Sequence, residues 1–204
     1  MDSRHFQSHG AAALLELIEE TRLVPPTPTQ LADKLHISLT VLQDFYPDLD
    51  DLTLTLVQEA MARISDNCVR WLVKADQDQP LEQARALACG FLEWALDNPE
   101  QLRLLVDQRV LRFADDPGIM RQVLALFRLL EKLLSRAHEM GHLRPNIDIR
   151  LTVLSGFSFV YGLARVADFN PLARFVAEGA DQGGDLNMML FQALNRYVDT
   201  LRQG

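Results

Sequence analysis

Residues 35–52 read LHISLTVLQDFYPDLDDL, and the way this stretch folds decides the rest of the chain. Ser38 can cap a helix that carries Val41, Leu42 and Phe45 inward, and Pro47 ends it. Just upstream, TPTQLADKL (27–35) offers Thr27 as N-cap, Pro28 at the first helical position and Gln30 three beyond the cap. That combination satisfies the orphan amides of a helix start. Leu31 and Leu35 give this helix its inner face, with Ile37 in the turn that follows. Two short helices joined by a short turn are a helix-turn-helix. Yet residues 35–52 hold Asp44, Asp48, Asp50 and Asp51 and no lysine or arginine, the reverse of what a polyanion asks of a surface.

Working outward, apolar residues recur at three and four rather than two throughout, so an all-α fold of about nine helices is expected. A first helix spans about Gly10 to Thr21, with Ala11, Leu14, Leu15 and Ile18 inward and Glu16, Glu19 and Glu20 on the wet face. A fourth opens at the acidic DLDD, where carboxylates suit the positive end of the helix dipole. Its stripe of Val57, Met61, Ile64, Cys68, Trp71 and Leu72 runs to about Lys74. Further helices follow over Leu81 to Asp97, behind Pro99, over Ile119 to Met140 (closed by Gly141 and Pro145), and over Asp148 to Asp168. NPLARFVAEGADQGG (170–184) reads as an irregular connection. Asp185 then caps a last helix with Leu190, Leu194, Tyr197 and Leu201 along one face. The domain reading is a helix-turn-helix domain over residues 1–52 and a larger helical domain over 53–204.

The net charge of −8 is unevenly spread. Residues 1–60 carry three cations (Arg4, Arg22, Lys34) against ten acids (Asp2, Glu16, Glu19, Glu20, Asp33, Asp44, Asp48, Asp50, Asp51, Glu59), a balance of −7. The remaining 144 residues hold 17 against 18. The start MDSRHFQSHG lacks the apolar run of a signal peptide, no apolar run approaches the ~20 residues of a bilayer span, and only Cys68 and Cys89 occur. These observations set the expectation of a cytoplasmic protein without a membrane partner, its two thiols buried rather than paired.

HEMGH (138–142) matches the zinc-protease pattern, in which two histidines one turn apart hold the metal. Gly141 and Leu-Arg-Pro are a helix stop, which leaves His142 outside the last turn. No metal and no cofactor are expected. No nucleophile-base pair or phosphate loop appears either, so an enzyme is not expected.

The order of LHIS, LTVLQDFYP and DLDDLTLTLVQEAM resembles the start of the TetR family of transcriptional regulators, in which a short recognition helix ends in an aromatic. ALDNPEQLRLL (95–105) and MGHLRPNIDIRLTVLSGFSFVYGLA (140–164) are similar to segments of the ligand-binding domains of that family. Three departures stand out. His36 replaces the turn glycine, Gln43 the phosphate-binding tyrosine, and Leu49 the lysine that opens helix four. The resemblance implies a homodimeric one-component regulator, commonly a repressor, bound to a palindromic DNA operator and released by a small apolar or aromatic effector.

Thr27, Thr29, Lys34, Ser38, Leu39, Thr40 and Gln43 are the residues expected at DNA, with Gln43 able to read adenine bidentately. Trp71, Cys89, Phe91, Trp94, Met120, Phe127, Phe157, Ser158, Tyr161 and Arg165 are the candidates for an apolar effector pocket with a few polar groups. Ser155, Phe159 and Gly162 on the penultimate helix, with Leu190, Leu194, Tyr197 and Leu201 on the last, are expected at the dimer interface. The alternative is a relative that has lost DNA binding and uses its acidic helix-turn-helix surface as a protein adaptor or coactivator.

Overall fold

The structure, a computed structural model, describes residues 3–21, 26–105, 116–168 and 185–203. Among these are nine helices: α1 (Ser3–Thr21), α2 (Pro28–Lys34), α3 (Leu39–Phe45), α4 (Leu49–Leu72), α5 (Pro80–Asp97), α6 (Pro99–Leu105), α7 (Pro117–Glu139), α8 (Ile149–Asp168) and α9 (Leu186–Asp199). No strand occurs among the described residues, and the one β-bridge joins Leu143 to Arg202. The all-α expectation holds. The connection at 170–184, the part of the helix behind Pro99 past residue 105, and the side chain of Arg22 lie outside the described residues.

The chain divides into two compact units. The first comprises residues 1–62 and 98–121, and the second residues 63–97 and 122–204. In the first unit the helix-turn-helix forms as its caps dictate. Thr27 Oγ1 accepts from the Gln30 amide at 3.3 Å and the Gln30 side chain accepts from the Thr27 amide at 2.8 Å, a reciprocal capping box. Ser38 Oγ accepts from the Val41 amide at 3.2 Å and starts α3. Between them, α2 ends with the His36 amide on Asp33 O and the Ile37 amide on Ala32 O. That pair of bonds is the Schellman stop, whose turning residue wants a left-handed backbone. His36 supplies it at φ 55°, a conformation that costs a residue with a Cβ.

Two details of this unit differ from the sequence expectation. Helix α1 begins at Ser3, well before Gly10, and among its described side chains Ala13, Leu14 and Leu17 are buried. AAALLELI is apolar on so many sides that periodicity leaves its phase ambiguous. Gly10 lies inside this helix because the Tyr46 ring presses on it: a Cβ there would stand 2.8 Å from Tyr46 Cζ. Tyr46 and Leu42 are buried, whereas Val41 and Phe45 stay outside. The aromatic that anchors α3 is therefore its C-cap.

In the second unit, α5 crosses the C-terminal half of α4 so closely that a Cβ on Gly90 would meet Cys68 Cα at 2.8 Å. Helices α5, α8 and α9 pack on one another, burying Leu92, Trp94, Val160, Ala164, Leu190, Leu194 and Val198. Arg85 of α5 reaches Asp199 of α9 at 2.6 Å and Asn195 Oδ1 at 3.2 Å, and Arg202 pairs with Glu82. These links pin the end of α9 to the start of α5. Helix α7 ends as α2 does, with Gly141 at φ 74°, its amide on His138 O and the His142 amide on Ala137 O.

Candidate nucleic-acid interface and effector site

The residues expected at DNA lie together on the outer side of α2 and α3. Thr27, Thr29, Ser38, Leu39, Thr40 and Gln43 are all exposed. The hydroxyls of Thr27 and Ser38 accept within their caps, which leaves each a proton to donate. On α3 only Leu42 is buried, so Thr40, Gln43 and Asp44 face outward on the side opposite the core.

Lys34 tells a different story. Its ammonium lies 2.5 Å from Glu20 and 3.1 Å from Glu16, both on α1. The hydrogen bond to Glu20 first, then that to Glu16, holds its pKa above the usual lysine value. A cation already embraced by two carboxylates has little attraction left for a phosphate. The start of α4 is closed in a similar way: Asp48 accepts from the Asp50 amide at 2.8 Å, and Asp50 and Asp51 occupy the first turn. These acids stabilise the positive end of the helix. They also occupy the place where amides could otherwise receive an anion.

In the second unit, five of the ten residues proposed around an effector do gather. The Phe157 ring lies 5.1 Å from Phe127, 5.9 Å from Phe91 and 6.2 Å from Tyr161, and Phe91 lies 6.2 Å from Trp94. Helices α5, α7 and α8 all contribute to this cluster. The other five stand elsewhere. Trp71 stacks on Phe191 of α9 at 6.1 Å. Met120 belongs to the first unit. Ser158 is exposed and donates to Leu154 O at 2.9 Å, one turn back on its own helix. Arg165 is half-buried further along α8. Cys89 is buried, and burial pushes its thiol up to about 11, as it pushes Cys68 to about 12.

A polar group escaped the sequence reading. Asn67, buried on α4, donates to Gly90 O at 2.6 Å and Glu93 at 3.0 Å, while Trp71 Nε1 donates to Glu93 at 2.8 Å and Arg70 donates to Asn67 Oδ1. Burial alone would raise the Glu93 pKa, but these donors, helped by Arg70 and Lys74, hold it below the usual range. The signal was available: Asn67 falls between Ile64 and Cys68 in the inward phase of α4.

The dimer candidates separate into three groups. Leu190, Leu194 and Leu201 are buried inside the single chain, so they serve the protomer's own core. Phe159 stacks on Tyr197 at 4.5 Å, and Ser155 Oγ lies 3.0 Å from Tyr197 Oη, binding α8 to α9. Nothing stands within 4 Å of a Cβ placed on Gly162. On the outer side of α8, Leu151 and Leu154 are 61% and 62% exposed, with Met188 and Met189 exposed on α9. Over residues 149–167 α8 is long and apolar enough to cross a membrane by length and composition alone. That differs from the expectation of no such run, and it arises because Arg150 and Arg165 fall only at the two ends. At HEMGH the helix stop drawn from Gly141 is present. Among the described residues no cluster of three metal-binding side chains occurs.

No protein-family profile matches the chain, and no curated protein sequence does. Solved structures match over nearly its whole length. The ketosteroid transcriptional regulator of Mycobacterium tuberculosis superposes with a TM-score of 0.70 at 17% identity, covering 97% of this chain and 95% of that one. The fatty acid degradation regulator FadR of Bacillus halodurans gives 0.63 at 16% identity, covering 94% and 93%. A TetR family transcriptional regulator, PfmR, of Thermus thermophilus gives 0.62 at 16%, covering 96% and 97%. The chain has the all-helical fold of TetR-family transcriptional regulators, as the helix-turn-helix had suggested.

Proposed function

We propose that the protein is a homodimeric one-component transcriptional regulator of the TetR type. Its helix-turn-helix binds a palindromic operator, and a small apolar or aromatic effector in the second unit controls that binding. The observation that carries the reading is the capped α2–turn–α3 pair at the start of a TetR fold spanning the chain. Thr40 and Gln43 are the base-facing residues, while Thr27, Thr29 and Ser38 donate to phosphates. The Phe91, Phe127, Phe157 and Tyr161 rings suit an aromatic or apolar effector, which they meet by stacking and area burial rather than charge. The outer face of α8, with Leu151, Leu154 and the open Gly162, is the surface a second copy covers, and a two-fold pair suits two half-sites about one DNA turn apart. The reading assigns the chain no catalysis and places it in the cytoplasm.

Binding to random duplex DNA at low salt tests it. A reader shows affinity that falls steeply as salt rises, and no affinity at any salt ends the DNA reading. A second reading, in which the helix-turn-helix surface meets protein, is favoured by one specific observation: Lys34 is held by Glu16 and Glu20 in a unit whose first 60 residues carry −7.

A further inference from the structure

We propose that Asn67 is the positioning residue of a latch, built with Glu93 and Trp71, through which the aromatic rings of α5 act on α4. The inference rests on the effector reading above and names the residues that carry its signal. All of them lie in the second unit. Asn67 is 4% exposed, and both its amide nitrogen and its oxygen are engaged. The nitrogen donates to Gly90 O at 2.6 Å and to Glu93 Oε2 at 3.0 Å, and the oxygen accepts from Arg70. The same Glu93 oxygen accepts from Trp71 Nε1 at 2.8 Å, and the Trp71 ring stacks on Phe191 of α9 at 6.1 Å.

What the latch grips decides its role. Gly90 O belongs to the peptide unit that continues into Phe91, and Glu93 directly precedes Trp94. Phe91 and Trp94 are the rings that α5 gives to the aromatic cluster. As an interior carbonyl of α5, Gly90 O already has a helical partner one turn on, so the bond from Asn67 is surplus to the needs of the backbone. A buried amide costs desolvation that leucine would not, and a satisfied polar network fixes one arrangement of the helices that share it. The crossing has no cushion: a Cβ on Gly90 would stand 2.8 Å from Cys68 Cα and 3.0 Å from Asn67 O, so backbone rests on backbone. A guest that displaces Phe91 therefore moves the carbonyl that Asn67 holds. Residues 49–62 of α4 belong to the first unit, where Leu52, Leu56 and Val57 are buried, so the latched helix is common to both units.

The test uses the full-length protein and needs no effector. Its two tryptophans give two indole nitrogen–proton resonances, which Trp71→Phe assigns. Phe157→Ala removes the ring that meets Phe91, Phe127 and Tyr161. It should shift the Trp71 resonance in the natural chain, and that shift should vanish in an Asn67→Leu background. Glu93→Gln keeps an oxygen for both donors and should retain the shift, whereas Glu93→Ala should lose it; Glu93→Ala replaces Asn67→Leu if circular dichroism shows the latter misfolded. Anisotropy with labelled random duplex DNA at low salt reads the consequence for the first unit. Asn67→Leu should change the affinity by about fivefold, within the range seen for residues that couple distant sites. Arg85→Leu, which frees the start of α5 from Asp199 and Asn195, should leave it unchanged. A Trp71 resonance that ignores Phe157→Ala, or a shift that survives both Asn67→Leu and Glu93→Ala, would overturn the latch. So would equal responses of DNA affinity to Asn67→Leu and Arg85→Leu, the mark of general loosening. If no chain binds DNA at any salt, the regulator reading falls, and the resonance shifts alone decide the latch.

Discussion

Glu16→Gln with Glu20→Gln should strengthen the DNA binding proposed above. Lys34 Nζ lies 3.1 Å from Glu16 and 2.5 Å from Glu20, and it is the one lysine in the first 60 residues. Removing both carboxylates lightens that segment from −7 to −5 and returns the ammonium to solvent beside the helix-turn-helix. One new phosphate contact steepens the slope of log affinity against log salt by about 0.9, so the variant should gain about 3.5-fold relative to wild type as salt falls from about 200 to about 50 mM. The pair is exposed, so the melting temperature should scarcely move. Anisotropy with an operator-length duplex, titrated at four or more salt concentrations, reads the slope directly. An unchanged slope with unchanged affinity at the lowest salt would refute the reasoning, because the occupied cation would then not be what limits DNA binding.

Gly90→Ala should destabilise the second unit by about 1–2 kcal/mol in chemical denaturation, the overpacking against Cys68 Cα at 2.8 Å exceeding the helix propensity gained. His36→Gly should stabilise the protein by about 0.5–1 kcal/mol, since glycine relieves the φ of 55° but is freer in the unfolded chain; a loss of stability would mean that the imidazole holds the turn. Leu151→Lys with Leu154→Lys should convert the proposed dimer into a monomer by light scattering, with far-ultraviolet dichroism retained. Cys68 and Cys89, raised by burial from 9.0 to about 12 and about 11, should resist Ellman's reagent at pH 8 in the native protein and react in denaturant. Their contribution to stability is complete below the unfolded thiol value and is lost as pH climbs toward 11 and 12.

Much of the fold was legible because local chemistry agreed with tertiary need. Thr27, Pro28, Gln30, Ser38 and Asp185 start helices where their side chains say they should, and Gly141 stops one. Legibility failed where a segment offered several apolar faces. In α1 the phase was undetermined, and in α3 three apolar candidates competed for a core that took only Leu42 and then reached for Tyr46. The sites were less readable still. Leu190 and Leu194 carry the same 3.6-residue signature whether a face meets its own chain or another copy, and only their burial tells the two apart. Phe91, Phe127, Phe157 and Tyr161 converge through tertiary packing that no spacing along the chain encodes. Lys34 reads from the sequence as a phosphate ligand, but Glu16 and Glu20, eighteen and fourteen residues away, reach it only through tertiary packing.

In the proposed dimer, the outward apolar residues of α8 tie the protein's stability to its own abundance. Association that hides Leu151 and Leu154 adds to folding stability by mass action, so resistance to heat and to proteases should climb with concentration. A lone copy, with Leu151 and Leu154 uncovered, would be a substrate for chaperones and degradation. Scarcity would thus be enforced by the chain itself, and a cell making too little would hold almost none.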